Sequence, residues 1–251
     1  MFPMLQIGPL AVQSPGLILL VGLWIGLSLA EKFAPQKGIP ANLLSNLVYT
    51  GLIAGIIVGR AAFALRHLDA FVESPLSLVS LNPGLFSLEE AVIFGVLVAW
   101  IYGSRHGMQV WQALDALSPL FLVMAAAIGL ANLASGNAFG LPSELPWGIQ
   151  LWDARRHPTQ LYEALLAVLW LLLLWPGWKR VQHWQSGKYF LASLALSSLT
   201  RLLFEPLRAG SLLLAEGLRA YQLAAWLVLI ACLVLLARQS SKSRQENPSN
   251  R

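Results

Sequence analysis

The chain has 251 residues, of which 57% are hydrophobic and 12% are charged, and its mean hydropathy is +0.63. Soluble domains carry about 25% charged residues, so this composition excludes a soluble enzyme, a disordered chain and a nucleic-acid-binding module, and it indicates a polytopic membrane protein. The net charge of +5 comes from scattered Lys and Arg residues, as is typical of residues that set membrane topology. The single cysteine excludes a disulfide framework.

Seven apolar segments are long enough to cross a bilayer, which takes about 20 residues. They lie at about 14–30, 43–65, 86–104, 111–135, 159–177, 188–206 and 219–238. The loops after the odd-numbered segments hold twice as many Lys and Arg residues as the N-terminus and the other loops together. Loops rich in Lys and Arg stay in the cytoplasm. We therefore predict an all-α integral membrane protein with its N-terminus outside and its C-terminus inside. Residues 1–238 are predicted to form one transmembrane domain, and 239–251 a disordered cytoplasmic tail.

Charged side chains inside these segments mark candidate functional residues, because each costs at least about 2.5 kcal/mol on insertion. In the predicted orientation, Asp115 lies on the cytoplasmic side, whereas the other charged groups and several polar ones lie at the depth of the outer leaflet. The outer group comprises Arg60, Glu89, Glu90, Asn132, Gln160, Tyr162, Glu163, Arg201, Glu205, Arg208 and Gln222. The residues of a proton path would be distributed across the whole thickness of the membrane. The concentration of these residues at one depth favours a site open to the outer leaflet.

Arg201, Glu205 and Arg208 are spaced four and three residues apart, which places them on one face of a helix. Two guanidinium groups with a carboxylate between them form a preset anion site, and Arg binds phosphate through paired hydrogen bonds. The anion expected there is the headgroup of an outer-leaflet phospholipid. The alternative is an Arg–Glu pair with a purely structural role, and Arg60 can equally snorkel to the outer surface.

The densest polar stretch is RHPTQLYE, which runs from Arg156 to Glu163. Pro158 marks the start of a helix, and Gln160 and Glu163 share one face of that helix because they are three residues apart. His157 is a candidate general base or phosphate ligand, and a solvated histidine at the mouth of a span is the alternative. Glu163 lies in an otherwise apolar helix, which makes it a candidate for catalysis.

RHPTQLYE resembles the HP[ST]QLYE segment of the prolipoprotein diacylglyceryl transferase family. The resemblance covers residues from about 6 to 238, and seven spans with an outside N-terminus are also the family topology. Other segments similar in order and spacing are IGPLAV, the second helix with Gly59 and Arg60, Asp115 with Pro119, TRLLFEPLR with Arg201, Glu205 and Arg208, and Gln222.

The resemblance implies a reaction. The family moves the diacylglyceryl group of phosphatidylglycerol to the thiol of a lipobox cysteine in a secreted prolipoprotein, which is the first step of bacterial lipoprotein maturation at the cell membrane. We therefore predict catalytic roles for Glu89, His157 and Glu163, phosphatidylglycerol binding by Arg60, Asn132, Arg201, Glu205 and Arg208, and supporting polar roles for Gln160, Tyr162 and Gln222. No residues have metal-ligand spacing, so neither a metal nor an organic cofactor is expected, and no nucleic acid partner is.

Several family positions are substituted. The family signature Gly-Arg-x-Gly-Asn-Phe-x-Asn-Gly-Glu falls, without gaps, on residues 128–137, where Asn132 matches. Within this segment, Gly129 stands in place of the arginine, Ser135 in place of the second asparagine and Asn137 in place of the glutamate. Elsewhere, Glu89 stands in place of an essential histidine and Pro15 in place of a tyrosine. Glu89 is the predicted replacement for the histidine as a base.

Three functions stay open at this point. The first is an active enzyme of this family with a divergent site. The second is a paralogue that uses a phospholipid donor with a different acceptor, or cleaves the phospholipid. The third is a non-catalytic membrane protein that binds lipid or lipoprotein. A transporter is disfavoured because the polar residues do not cross the midplane.

Overall fold

The structure is a computed structural model that describes residues 4–7, 10–68, 72, 86–151, 153–214 and 217–246. Its helices are α1 (Ser14–Phe33), α2 (Ala41–Arg66), α3 (Leu88–Arg105), α4 (Val110–Ser135), α5 (Thr159–Leu173), the short α6 (Lys179–Gln182), α7 (Lys188–Phe204) and α8 (Ala220–Glu246). Short 3-10 turns follow α1 at Ala34–Lys37 and α7 at Glu205–Leu207. Two antiparallel hairpins pair β1 (Met4–Ile7) with β2 (Leu10–Gln13) and β3 (Ile149–Leu151) with β4 (Ala154–Arg156).

A helix occupies each of the seven predicted segments. Within the described part of the chain, five helical stretches are long and apolar enough to cross a membrane: Ser14–Lys37, Ala41–Arg66, Val110–Ser135, Lys188–Leu207 and Ala220–Ser241. Helix α3 has 18 residues, but Glu89, Glu90 and Arg105 lie within it. Helix α5 has 15 residues and is apolar but short. The expected helical membrane architecture is confirmed, and the two small hairpins are the departure from an all-α chain.

The helices pack in neighbouring pairs: α1 lies along α4, α2 along α3, α5 along α4, and α8 along α7. Small residues permit the close approach of α1 to α4, since a Cβ on Gly26 would lie 3.2 Å from the Cα of Leu120. The largest buried cluster sits where α1, its 3-10 turn, α2 and the first half of α4 meet, around Ala34, Leu44 and Ala116. This cluster lies at the end of the bundle that carries Asp115.

Asp115 holds two helices together at that end. Its side chain is 1% exposed, and its two carboxylate oxygens accept hydrogen bonds from the backbone N–H groups of Gly187 (2.9 Å) and Phe190 (2.8 Å). Gly187 is the N-cap residue of α7 and Phe190 lies in its first turn, where backbone N–H groups have no partners within the helix. Asp115 of α4 therefore caps α7 from a neighbouring helix, as an N-cap residue does from within its own chain segment.

Helix α8 continues through Glu246, past residue 239, where the sequence analysis places the start of a disordered tail. Residues 239–246 thus belong to α8. The helix-forming Arg238, Gln239 and Lys242 sustain the backbone pattern after the apolar run has ended. The remaining residues of the expected tail, 247–251, lie outside the described residues.

Candidate active site

The ends of α4, α5 and α7 are joined by the loop 139–143. Leu141 donates its backbone N–H to the carbonyl of Leu207 (2.7 Å), just after α7. On its other side, the backbone N–H of Gly140 donates to the carbonyl of His157 (3.1 Å), just before α5. Because the loop is hydrogen-bonded on both sides, it fixes the start of α5 against the end of α7. The side chains at these two helix ends are the ones that the sequence marks as chemically active.

Four charged side chains meet at this junction, and we call Glu163, Arg201, Glu205 and Arg208 the ion-pair cluster. The Nη2 atom of Arg208 lies 2.8 and 2.7 Å from the two carboxylate oxygens of Glu163. The Nη1 atom of Arg201 lies 3.5 Å from the Oε1 atom of Glu163. Glu163 of α5 thus contacts both arginines that α7 and its following turn supply.

Glu205 is the buried centre of the cluster. Its side chain is fully buried, with Oε2 2.9 Å from the Nε atom of Arg201 and 4.0 Å from the Nε atom of Arg208. Neither carboxylate oxygen accepts a well-directed hydrogen bond from the described residues. A buried carboxylate with so few hydrogen bonds depends on nearby positive charge. Glu205 therefore holds the two guanidinium groups at this position.

The prediction that one helical face carries all three residues is correct only for the first step. Arg201 lies in α7, but Glu205 and Pro206 begin the 3-10 turn, and Arg208 follows that turn in an extended conformation. Pro206 has no N–H to donate, which favours the end of the helix at this point. The turn swings Arg208 toward α5, and this is what brings it against Glu163.

Arg219 holds the turn in place, and the sequence analysis did not select it. Its Nη1 atom donates to the carbonyl oxygens of Glu205 (2.7 Å) and Arg208 (2.8 Å) and lies 2.7 Å from the hydroxyl of Ser211. Nearby, the guanidinium of Arg201 lies 5.2 Å from the centre of the Tyr221 ring, which is cation–π distance. Arg219, just before α8, thus supports the turn that carries Glu205 and Arg208.

An apolar cleft of about 490 Å³ opens beside the cluster. The indole N–H of Trp147 donates to the hydroxyl of Tyr162 (2.8 Å), and the rings of His157 and Tyr162 lie edge to face at 6.3 Å. The cleft is lined by Leu145, Trp147, His157, Tyr162, Leu165, Leu166, Phe204 and Leu207. Tyr162, the residue before Glu163, thus lies on the wall of a largely apolar space. His157, just before α5, lies on the same wall.

Two of the predicted supporting residues, Gln160 and Gln222, and the predicted lipid-binding residue Asn132 have backbone partners. Gln160 is fully buried, and its Nε2 atom donates to the carbonyl of Asn137 (2.7 Å), which ties α5 to the turn after α4. Asn132, half-buried near the end of α4, accepts the backbone N–H of Asn137 through its own carbonyl (3.0 Å). Gln222 is half-buried in the first turn of α8, where its backbone N–H donates to Arg219.

The residues predicted at the start of α3 lie in a different setting. Glu89 is exposed and its side chain forms no hydrogen bond or ion pair with the described residues, whereas Glu90 pairs with Arg66 of α2. Arg60 is half-buried on α2, the helix that packs along α3. The structure therefore joins Glu163, Arg201, Glu205 and Arg208 in one cluster, and Glu89 is not part of it.

Comparison with known proteins identifies the family to which these features belong. Residues 3–238 match the family described as prolipoprotein diacylglyceryl transferase. The chain belongs to this family. The resemblance stated from RHPTQLYE is thereby confirmed over nearly the whole chain.

Relatives of the chain are named phosphatidylglycerol–prolipoprotein diacylglyceryl transferase. The protein of Trichormus variabilis is 29% identical over 84% of this chain and 80% of its own length. The protein of Shouchella clausii is 25% identical over 92% of this chain and 87% of its own. That of Solidesulfovibrio magneticus is 34% identical over 73% of this chain and 74% of its own.

Gly129, where the arginine of the family signature falls, lies in the contact between α4 and α5. A Cβ atom added there would come 2.7 Å from the carbonyl oxygen of Gln160 and 3.0 Å from the Cβ of Ala164. Any side chain at Gly129 therefore requires α5 to move away from α4. Close helix packing thus occupies the position to which the sequence comparison without gaps assigns the signature arginine.

Proposed function

We propose that the chain is a bacterial cell-membrane enzyme that transfers the diacylglyceryl group of phosphatidylglycerol to the thiol of a prolipoprotein lipobox cysteine. Family membership and the names of its relatives support this reaction. The observation that carries the proposal is the ion-pair cluster, where Arg201 and Arg208 present two guanidinium groups beside the carboxylate of Glu163. Such a site suits a reaction whose leaving group is a phosphate ester.

In the proposed topology seven helices cross the membrane, with the N-terminus outside and the C-terminus in the cytoplasm. The excess of Lys and Arg in the loops at the cytoplasmic side supports this orientation. Helix α5 has 15 residues and spans about 22 Å at 1.5 Å per residue, less than the roughly 30 Å of hydrocarbon in a bilayer. A short α5 lets Glu163, in its first turns, lie where the polar headgroups of the outer leaflet begin.

The chemistry follows from the charges that the cluster supplies. Arg201 and Arg208, with Asn132, bind the phosphate of phosphatidylglycerol, and Glu205 orients the two guanidinium groups. The cysteine sulfur forms a bond to the glycerol carbon of the diacylglyceryl group, and the bond from that carbon to the phosphate oxygen breaks. The electron pair leaves with the phosphate, as glycerol phosphate, and the guanidinium groups stabilise the negative charge that develops there.

The thiol must lose its proton for this attack, since the thiolate is the nucleophile. Glu163, His157 and Glu89 are the candidate bases. Glu163 lies within the cluster, and His157 lies on the wall of the adjoining apolar cleft. An apolar cleft suits the hydrophobic residues that accompany a lipobox cysteine. Tyr162, Gln160 and Gln222 support these groups by fixing the ends of α5 and α8.

A turnover assay on purified protein tests the proposal. Phosphatidylglycerol and a synthetic lipobox peptide are supplied in detergent, lipidated peptide is measured by mass spectrometry, and released glycerol phosphate is measured in the same reaction. We expect both products, and their loss in Arg208→Ala but not in Arg105→Ala, a matched change at the exposed end of α3. Glycerol phosphate without lipidated peptide would indicate a different acceptor. Neither product, with phospholipid still bound, would indicate a non-catalytic lipid-binding role.

A further inference from the structure

We infer that Glu163 is an internal competitor of the donor phosphate: phosphatidylglycerol displaces Glu163 from Arg208, and the released carboxylate accepts the proton of the acceptor thiol. This inference rests on the proposed function and adds an order of events to it. It makes donor binding the step that creates the base. The deprotonated thiol then forms only when a phosphate leaving group is already in place.

The first support is that the Nη2 group of Arg208, one of the donors that a phosphate would use, is already occupied. Its Nη2 atom contacts both oxygens of Glu163, at 2.8 and 2.7 Å, and its side chain is only 13% exposed. A phosphate oxygen that bonds to the same N–H groups cannot do so while the carboxylate remains there. Charge-assisted hydrogen bonds of this kind are about twice as strong as neutral ones, so the carboxylate is an effective competitor.

The second support is that Arg208 has anchors that do not involve Glu163. Arg208 is anchored through its backbone, because Arg219 donates to its carbonyl at 2.8 Å and its own N–H donates to the carbonyl of Glu205 at 3.1 Å. Among the described residues, the carboxylate of Glu163 has only guanidinium partners, Arg208 and Arg201. When a phosphate takes over these arginines, the carboxylate of Glu163 is the group that moves.

The charge balance of the cluster gives the third support. Two carboxylates and two guanidinium groups make the ion-pair cluster neutral before the donor binds. A phosphodiester adds one negative charge to a site of low dielectric constant, where like charges repel strongly. Transfer of the thiol proton to Glu163 removes one negative charge from the cluster. The sulfur–carbon bond then forms as the carbon–oxygen bond to phosphate breaks, and glycerol phosphate departs with the electron pair.

The experiment separates donor binding from turnover in Glu163→Gln. Kd for a short-chain phosphatidylglycerol is measured by calorimetry in detergent, and kcat is measured with the lipobox peptide. Glutamine keeps the shape of the side chain but neither competes as an anion nor accepts the proton. We expect Kd to fall by about tenfold, which corresponds to 1.4 kcal/mol, while kcat falls by about 100-fold, the smaller end of the range for general base catalysis.

Two further variants make the result specific. Glu144→Gln removes the same charge from an exposed position in the loop between α4 and β3, and we expect its Kd and kcat to equal those of the parent. Glu163→Asp keeps a carboxylate but shortens its reach to Arg208, so we expect tighter donor binding with kcat partly retained. Thermal unfolding of each variant confirms that it is folded.

The outcomes distinguish this inference from the function on which it rests. Unchanged or weaker donor binding in folded Glu163→Gln would overturn the displacement, and unchanged kcat would overturn the role as base, while the transferase activity of the parent stands in both cases. Absence of donor binding and of turnover in the parent itself would overturn the proposed function, and the inference with it. Tighter binding of phosphatidylcholine as well as phosphatidylglycerol would still support displacement, since both donors carry a phosphodiester.

Discussion

A Cβ atom on Gly129 would lie 2.7 Å from the backbone carbonyl oxygen of Gln160. The carbonyl belongs to α5, whose first turns carry Glu163, and its position is fixed by hydrogen bonds on both sides of the loop 139–143. The packing of α5 against Gly129 therefore sets the position of Glu163 relative to α4. In this chain the close packing of α4 against α5 requires a glycine at position 129.

Gly129→Ala is expected to destabilise the protein, because the methyl group has to push α5 away from α4. Overpacking of this kind typically costs about 1–3 kcal/mol, and we expect a lower midpoint of thermal unfolding in detergent together with reduced turnover. Gly16→Ala is the control, since a Cβ at Gly16 of α1 meets no atom within 4 Å, and there a gain of up to about 1 kcal/mol is expected from helix propensity. Equal stability of the two variants would mean that α4 and α5 can separate freely.

Arg219 is expected to act on the reaction by positioning the turn at 205–208. Arg219→Gln removes donors from the carbonyls of Glu205 and Arg208, and small displacements of a catalytic group lower rates by up to about 100-fold. We expect a fall in kcat of about 10- to 100-fold and partial recovery in Arg219→Lys, whose ammonium keeps three donors on a shorter side chain.

The salt dependence of that variant separates positioning from electrostatic attraction. If Arg219 acts through the turn, the ratio of parent to Arg219→Gln activity stays constant as salt is raised. If it instead attracts the anionic lipid through space, the ratio shrinks with added salt, because screening removes the advantage of the parent. A shrinking ratio, with Kd affected more than kcat, would contradict the positioning role.

Asp115 is expected to contribute to stability and not to chemistry. Helix α7 has 17 residues and spans about 25 Å, with Asp115 at its first turn and Glu205 after its last. Asp115→Ala leaves the backbone N–H groups of Gly187 and Phe190 without their acceptors, which we expect to cost about 1–3 kcal/mol. Thermal unfolding measures this loss, and Asp115→Asn, which keeps one acceptor oxygen, should lose less. A variant that is as stable as the parent but inactive would refute this assignment.

Local spacing accounts for the part of the site that the sequence predicts. The interval of four residues predicts the contact of Arg201 with Glu205, which the structure places at 2.9 Å. The apolar runs likewise predict the seven longer helices near their observed positions, because the length needed to cross a bilayer leaves little freedom. In these cases the interacting groups are neighbours along one element.

The contacts between elements needed the structure. Arg208 meets Glu163 because a 3-10 turn redirects the chain after α7, and neither residue spacing nor composition specifies that direction. Arg219 looks like a topogenic charge in the sequence, since its partners are two backbone carbonyls and a serine that form no charge pattern. One signal in the sequence could have selected Arg219. It is a basic residue at the end of a predicted span, close to other polar residues.

Glu89 and Glu163 are alternative candidates for the base that accepts the thiol proton, and the kcat of Glu89→Gln decides between them. Glu89 takes the family histidine's place in the sequence, but it is exposed at the start of α3 and makes no ion pair among the described residues. If Glu163 accepts the thiol proton, Glu89→Gln retains a kcat close to that of the parent, whereas Glu163→Gln loses about 100-fold. Lipidated peptide formed per minute at saturating phosphatidylglycerol measures both variants. A large loss in Glu89→Gln, with Glu163→Gln still active, would assign the base to Glu89 and leave Glu163 as a structural partner of Arg208.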